Sequence, residues 1–141
     1  MKTLKTLAII LTALIMAGCS AQKPTDTTSG KMLINDIWAL TKINNTDIVK
    51  VAGKTQPMIE IHLNGNRFLG NTGCNEMSGT VVVGDKSIKF SDITQTKMFC
   101  DDSPEVEFLN GLKKADTWEI SKLTLYLKSG NDVVLTFKKV D

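Results

Sequence analysis

From residue 33 onward, apolar and polar positions alternate with a period of two, and turn residues interrupt the pattern at short intervals. Ile37 to Ile43 is rich in β-branched and aromatic residues and ends at Asn44-Asn45. After Pro57, Ile59, Ile61 and Leu63 alternate with Met58, Glu60 and His62. Asn64-Gly65-Asn66 then turns the chain into Arg67-Phe68-Leu69. Thr80 to Val83, the turn at Gly84-Asp85, and Ser87 to Phe90 predict a second hairpin. Leu123 to Leu127, the turn Ser129-Gly130-Asn131, and Val133 to Phe137 predict a third. This is the pattern of sheets with one buried and one wet face.

One segment departs from it. Asp101-Asp102-Ser103-Pro104-Glu105 combines a capping side chain, a proline for the first turn and acids at the positive end of a helix dipole. Val106, Leu109 and Leu112, with Phe108 and Ala115, follow at spacings of three and four, and Lys113 and Lys114 stand near the far end. A single helix over about 103–115 is expected. The predicted fold is mainly β with one helix (α+β), a small antiparallel barrel-like sheet, since closure removes exposed edges.

The first 32 residues read differently. Lys2 and Lys5 precede an uncharged apolar run from Leu7 to Ala17, too short for a membrane span and laid out as a secretory signal. Met16-Ala17-Gly18-Cys19 resembles the bacterial lipobox, with methionine where leucine is preferred. The resemblance implies a signal over residues 1–18, cleavage before Cys19, and a lipid on its thiol. Residues 19–32 are small and polar, the composition of a flexible tether. A domain over 33–141 is then held at a membrane surface. Ser20 is not the aspartate that retains some lipoproteins at the inner membrane, so the outer membrane facing the periplasm is the expected location.

Loss of Lys2 and Lys5 reduces 17 basic residues to 15, equal to the 15 acids. A chain without net charge lacks the basic face that phosphate backbones need, so nucleic acid is not an expected partner. Catalytic chemistry finds little support. His62, the only histidine, is mid-strand between Glu60 and Asn64 and out of phase with the apolar positions, which places it on a polar surface. No nucleophile motif accompanies it. Cys74, Cys100 and His62 are too scattered for a zinc site, and Gly70-x-x-Gly73 lacks the lysine and helix of a phosphate loop. No catalytic residue, metal or cofactor is expected. In an oxidising envelope, Cys74 and Cys100 are most simply a disulfide; two buried free thiols are the alternative.

Asn64-Gly65-Asn66-Arg67-Phe68, Gly70, Gly73-Cys74-Asn75 and Ser78-Gly79, followed by Thr94-Gln95-Thr96-Lys97-Met98-Phe99-Cys100, resemble the signature of the META domain family. Its bacterial members include the HslJ heat-shock lipoproteins. Glu105, Phe108, Leu109, Leu112, Trp118 and the strands at Leu123-Leu125 and Leu135-Thr136-Phe137 extend the likeness over about residues 34–139. Glu76-Met77 departs from it, standing where relatives often carry a basic and an aromatic residue. The resemblance implies a compact β-barrel-like domain with one helix and no established catalysis. Gly73, Asn75, Ser78, Gly79, Thr96 and Met98 are its structural motif residues, with Gly70, Gly73 and Gly79 expected at turns or bulges and Asn75 bonded to neighbouring backbone. The expected function is a non-catalytic, lipid-anchored envelope protein in stress tolerance or protein-partner binding. The alternative is a carrier of a small hydrophobic ligand or acyl chain.

Overall fold

The structure is a computed structural model, and it describes residues 27–49, 55–101 and 103–140. The expected signal, Cys19 and most of the expected tether lie outside these residues. Helix α1 (Thr27–Met32) falls at the end of the segment read as tether. Nine strands follow: β1 (Ile37–Ile43), β2 (Thr46–Asp47), β3 (Met58–His62), β4 (Arg67–Asn71), β5 (Glu76–Val83), β6 (Ile88–Gln95), β7 (Thr117–Ser121), β8 (Thr124–Ser129) and β9 (Asp132–Lys139). Helix α2 (Glu105–Lys114) connects β6 to β7.

All pairings are antiparallel, in the order β6-β5-β4-β3-β1-β9-β8-β7, with β2 hairpinned onto β1. The sheet curls into a half-barrel, as its α+β pattern predicts. Its two edge strands meet through one bridge, Ser87 to Thr117, flanked by Ile88 N donating to Asp116 O (2.9 Å) and Trp118 N donating to Lys86 O (2.9 Å). Beyond the bridge the edges separate, and α2 crosses the gap, touching β6 on one side and β1, β8 and β9 on the other. An edge that would invite foreign strands is thereby partly covered.

The alternation of β3 is realised as expected, with Ile59 and Ile61 buried and Glu60 and His62 half-exposed. Leu40, Phe68, Leu125, Leu127, Leu135 and Phe137 join them in the core. The Phe68 and Phe90 rings meet edge to face at 5.2 Å. Both tryptophans satisfy their polar atom: Trp38 Nε1 donates to Ile34 O (2.9 Å) and Trp118 Nε1 to Gly84 O (3.1 Å). Asn44 and Asn45 both have positive φ, the geometry of a tight hairpin, in which asparagine is at home.

The helix corrects the sequence reading in three respects. It begins at Glu105, with Pro104 as N-cap and no side-chain capping bond; Phe108 N donates to Pro104 O (2.9 Å) instead. Proline has no side-chain acceptor, so the expected cap cannot form there. Its buried face is Phe108, Gly111 and Leu112, continued by Ala115, while Val106 is 65% exposed. A glycine marked that face, so hydrophobic spacing alone was drawn to Val106. Gly111 lets α2 lie against β9: a Cβ there would stand 2.7 Å from Leu135 Cδ2. Leu123, expected in a strand, sits instead in the two-residue turn between β7 and β8, where Lys122 and Leu123 have φ of 48° and 61°. Gly70, expected at a turn or bulge, lies within β4, paired with Ile59 and Met77.

Candidate functional site

The β4–β5 connection, Thr72 to Asn75, is the centre of a polar cluster at one end of the half-barrel. The chain turns at Gly73, whose φ of +89° suits glycine. Asn71 Oδ1 accepts from Gly73 N (3.0 Å), and Thr72 N donates to Asn75 O (2.8 Å). This small loop buries two polar side chains, Thr72 and Asn75. A buried polar side chain is costly unless bonded, and both are bonded fully.

Asn75 reaches across to the segment after β6. Its Oδ1 accepts from Met98 N (2.7 Å) and Thr96 Oγ1 (2.8 Å). Its Nδ2 donates to Met98 O (3.1 Å) and Glu105 Oε2 (2.8 Å). The asparagine therefore grips both backbone groups of Met98, in the manner of a third strand. Thr72 Oγ1 donates to Glu105 Oε2 (2.5 Å) and accepts from Asn75 N (2.9 Å). Gln95 Nε2 donates to Glu105 Oε1 (3.1 Å), so the first residue of α2 receives bonds from the β4–β5 loop and from the end of β6. Thr96 completes the weave: its Oγ1 accepts from Glu76 N (3.1 Å), and its N donates to Glu76 O (3.0 Å).

Cys74 and Cys100 are joined as a disulfide, with Cα atoms 6.0 Å apart, on the same loop and the same segment. The stretch 96–100 is thus tied twice, by Asn75 in its middle and by sulfur at its end. The side chains on this fixed backbone face solvent, Met98 61% exposed and Phe99 90% exposed. Two bulky apolar side chains thus stand next to each other in solvent on a backbone tied from both sides.

The motif residues divide between two places. Gly73, Asn75, Thr96 and Met98 converge in the cluster, whereas Ser78 and Gly79 lie along the β5–β6 ladder. Ser78 Oγ is 3.1 Å from Thr94 Oγ1, and the register shifts between Ser78 and Thr80, at Gly79. The Asn75 side chain bonds to the backbone of Met98, 23 residues along the chain, and not to the backbone of its own turn as expected. Thr72, Gln95 and Glu105 carry the cluster without having been singled out together. The acid at 105 reads as a helix-start residue because its loop partners stand 33 and 30 positions upstream. His62 lies apart on β3, its Nε2 3.0 Å from Glu60 Oε1 at ion-pair distance but without the alignment of a hydrogen bond. Among the described residues, no group of His, Cys, Asp and Glu is arranged to hold a metal ion.

A curled antiparallel half-barrel, crossed by one helix and stapled at the loop that precedes it, defines the class of this protein. The META domain pattern matches residues 31–141, and the chain belongs to that family. Solved structures share the fold at low identity. One is an NMR structure of a protein from Burkholderia xenovorans, 22% identical, covering 88% of this chain and 94% of its own, with a TM-score of 0.64. Another is a crystal structure of a DUF4847 family protein from Bacteroides vulgatus, 13% identical, covering 77% and 96%, with a TM-score of 0.57. No curated protein matches the chain.

Proposed function

We propose that this META domain is a non-catalytic binding module of the bacterial envelope, anchored by lipid at Cys19 to the outer membrane and facing the periplasm, where it supports stress tolerance by holding a protein partner. The observation that carries the reading is the double tie on residues 96–100. Thr72, Asn75 and Glu105 are occupied with one another and with backbone, and what they hold in place is Met98 and Phe99 in solvent. Exposed aromatic and methionine side chains on a fixed backbone are the residue types that anchor interfaces.

A carrier of a hydrophobic ligand would need space between helix and sheet. Phe108 and Leu112 are fully buried there, Phe108 beside Phe137 at 6.0 Å, and Gly111 brings the helix backbone onto Leu135. That packing supports the partner-binding reading over the carrier.

The test places a photo-crosslinking amino acid at Phe99 in cells. A discrete adduct is expected at Phe99 and not at exposed Val82 on β5, and it should weaken in an Asn75→Ala background. Equal labelling at both positions would overturn the interface. Mass analysis of the mature protein checks the anchor separately: acyl mass on the N-terminal peptide is expected, and its loss in Cys19→Ser.

A further inference from the structure

The end of the domain where α1 enters has a surface of its own. Four hydrogen bonds assemble this rim. Asn35 Oδ1 accepts from Leu63 N (2.8 Å) and Asp36 O from Ile61 N (3.0 Å). Ile37 O accepts from Val140 N (3.0 Å) and Leu123 O from Lys139 N (3.0 Å). The head of β1, the β3–β4 turn, the β7–β8 turn and the end of β9 therefore lie together beside α1.

This rim exposes Met32, Leu33, Leu123 and Val140, with Leu33 and Leu123 each 59% exposed. Leu123 is the most telling. The Lys122-Leu123 turn needs two left-handed residues, a geometry that favours Asn-Gly and costs stability in Lys-Leu. The turn itself gains nothing from leucine, so an apolar side chain on a strained, exposed turn points to a contact outside the domain.

Charge points the same way. Around these residues stand Lys31, Arg67, Lys122, Lys138 and Lys139, against Asp36 and Glu60. Lys139 pairs with Asp36 at 2.7 Å, and Glu60 lies beside His62. The mature chain is balanced overall, so the described part of this rim carries a local basic excess; Asp141 lies outside the described residues. Only eight residue steps separate Cys19 from Thr27, a reach of at most about 28 Å when fully extended.

We infer that this rim is a membrane-contact surface: Met32, Leu33 and Leu123 enter the interfacial layer of the bilayer that holds the Cys19 lipid, and Lys31, Arg67, Lys122 and Lys138 meet its anionic headgroups. The inference rests on the lipid anchor proposed above. It orients the domain with Met98 and Phe99 free for another contact.

The test uses the mature, lipidated protein in vesicles of phosphatidylethanolamine and phosphatidylglycerol. With Cys19 acylated and Cys74 bonded to Cys100, Leu123→Cys supplies a free thiol for a nitroxide; Phe99→Cys is the comparator. The Leu123 label should favour oxygen over a water-soluble nickel chelate about threefold or more relative to the Phe99 label, as an interfacial side chain does. Equal accessibility to the chelate at both positions overturns the proposal. Protection that persists without vesicles marks self-association and overturns it too.

A second arm is independent of the anchor. The mature chain with Cys19→Ser should co-sediment with phosphatidylglycerol vesicles at low salt. Leu123→Asn, which suits the turn and leaves the fold intact, should reduce the bound fraction several-fold. No sedimentation, or none of this reduction, overturns the rim. Missing acyl mass at Cys19 overturns the anchor instead, so the two failures are distinguishable.

Discussion

Replacing Asn75 by aspartate changes one atom's chemistry and almost no volume, so it isolates the electrostatics of the cluster. The two oxygens of the introduced carboxyl can still accept from Met98 N and Thr96 Oγ1, which bond to Asn75 Oδ1 at 2.7 and 2.8 Å. The bonds from Nδ2 to Met98 O and Glu105 Oε2 are lost. Their loss costs about 1 kcal/mol for the neutral acceptor and about 2 for the charged one. Two carboxylates are also brought together: at about 4 Å and an effective dielectric near 20, the repulsion is roughly 4 kcal/mol. Protonating the introduced group at pH 7 is no cheaper, about 3 pK units or roughly 4 kcal/mol.

Asn75→Asp should therefore lose about 5–6 kcal/mol at pH 7, a large share of the 5–15 kcal/mol typical of a domain. At about pH 4.5 the introduced carboxyl holds its proton and donates to Glu105, and the loss shrinks to about 1–2 kcal/mol. The sign follows from linkage. The neighbouring carboxylate raises the introduced group's pKa in the folded state, so stability is retained at low pH and falls as pH rises through that raised value. Asn75→Ala, lacking any titrating group, should lose about 3–4 kcal/mol at both pH values. Urea unfolding followed by circular dichroism at the two pH values provides the measurement. An aspartate variant within about 1 kcal/mol of the parent at pH 7, or one that tracks the alanine variant at both pH values, would refute the role assigned to this amide.

Opening the Cys74–Cys100 disulfide by Cys74→Ser with Cys100→Ser should lower stability by on the order of 3–4 kcal/mol, read from the urea midpoint; an unchanged midpoint counts against the staple. Gly111→Ala should destabilise by about 1–3 kcal/mol despite alanine's better helix propensity, because its methyl meets Leu135; a stabilised variant would show that helix and sheet can separate there. Burial raises the Asp36 pKa, but bonds from Lys139 and Ile37 N outweigh it and hold the carboxyl below its usual range. Its contribution is therefore present above the ordinary carboxylate range and lost as pH falls through the lowered value. Asp36→Asn should cost about 0.5–1 kcal/mol at pH 7, with the gap to the parent closing in acid titration. Lys122→Asn should stabilise the β7–β8 turn by about 0.5–1 kcal/mol, measured by thermal unfolding, since asparagine tolerates the left-handed conformation that lysine resists.

The alternation along β3, the asparagine and glycine turns and helix α2, though not α1, were legible in the sequence because each is written by neighbouring residues. Period two needs only side chains that alternate across a pleat, and Asn44-Asn45 needs only its own backbone preference. Cys74 and Cys100, in a chain whose first residues read as a secretory signal, likewise suggest their pairing from composition and expected compartment. What tertiary structure decided are the relations between distant segments. Asn75 with Met98, Thr72 with Glu105, and Gly111 with Leu135 have no local signature, because a hydrogen bond or a close approach across the fold leaves no period in the chain. Leu123 shows the converse. Its type and neighbours suit a strand, yet the register of β7 with β8 makes it a turn, because pairing Ser121 with Thr124 leaves two residues to reverse the chain.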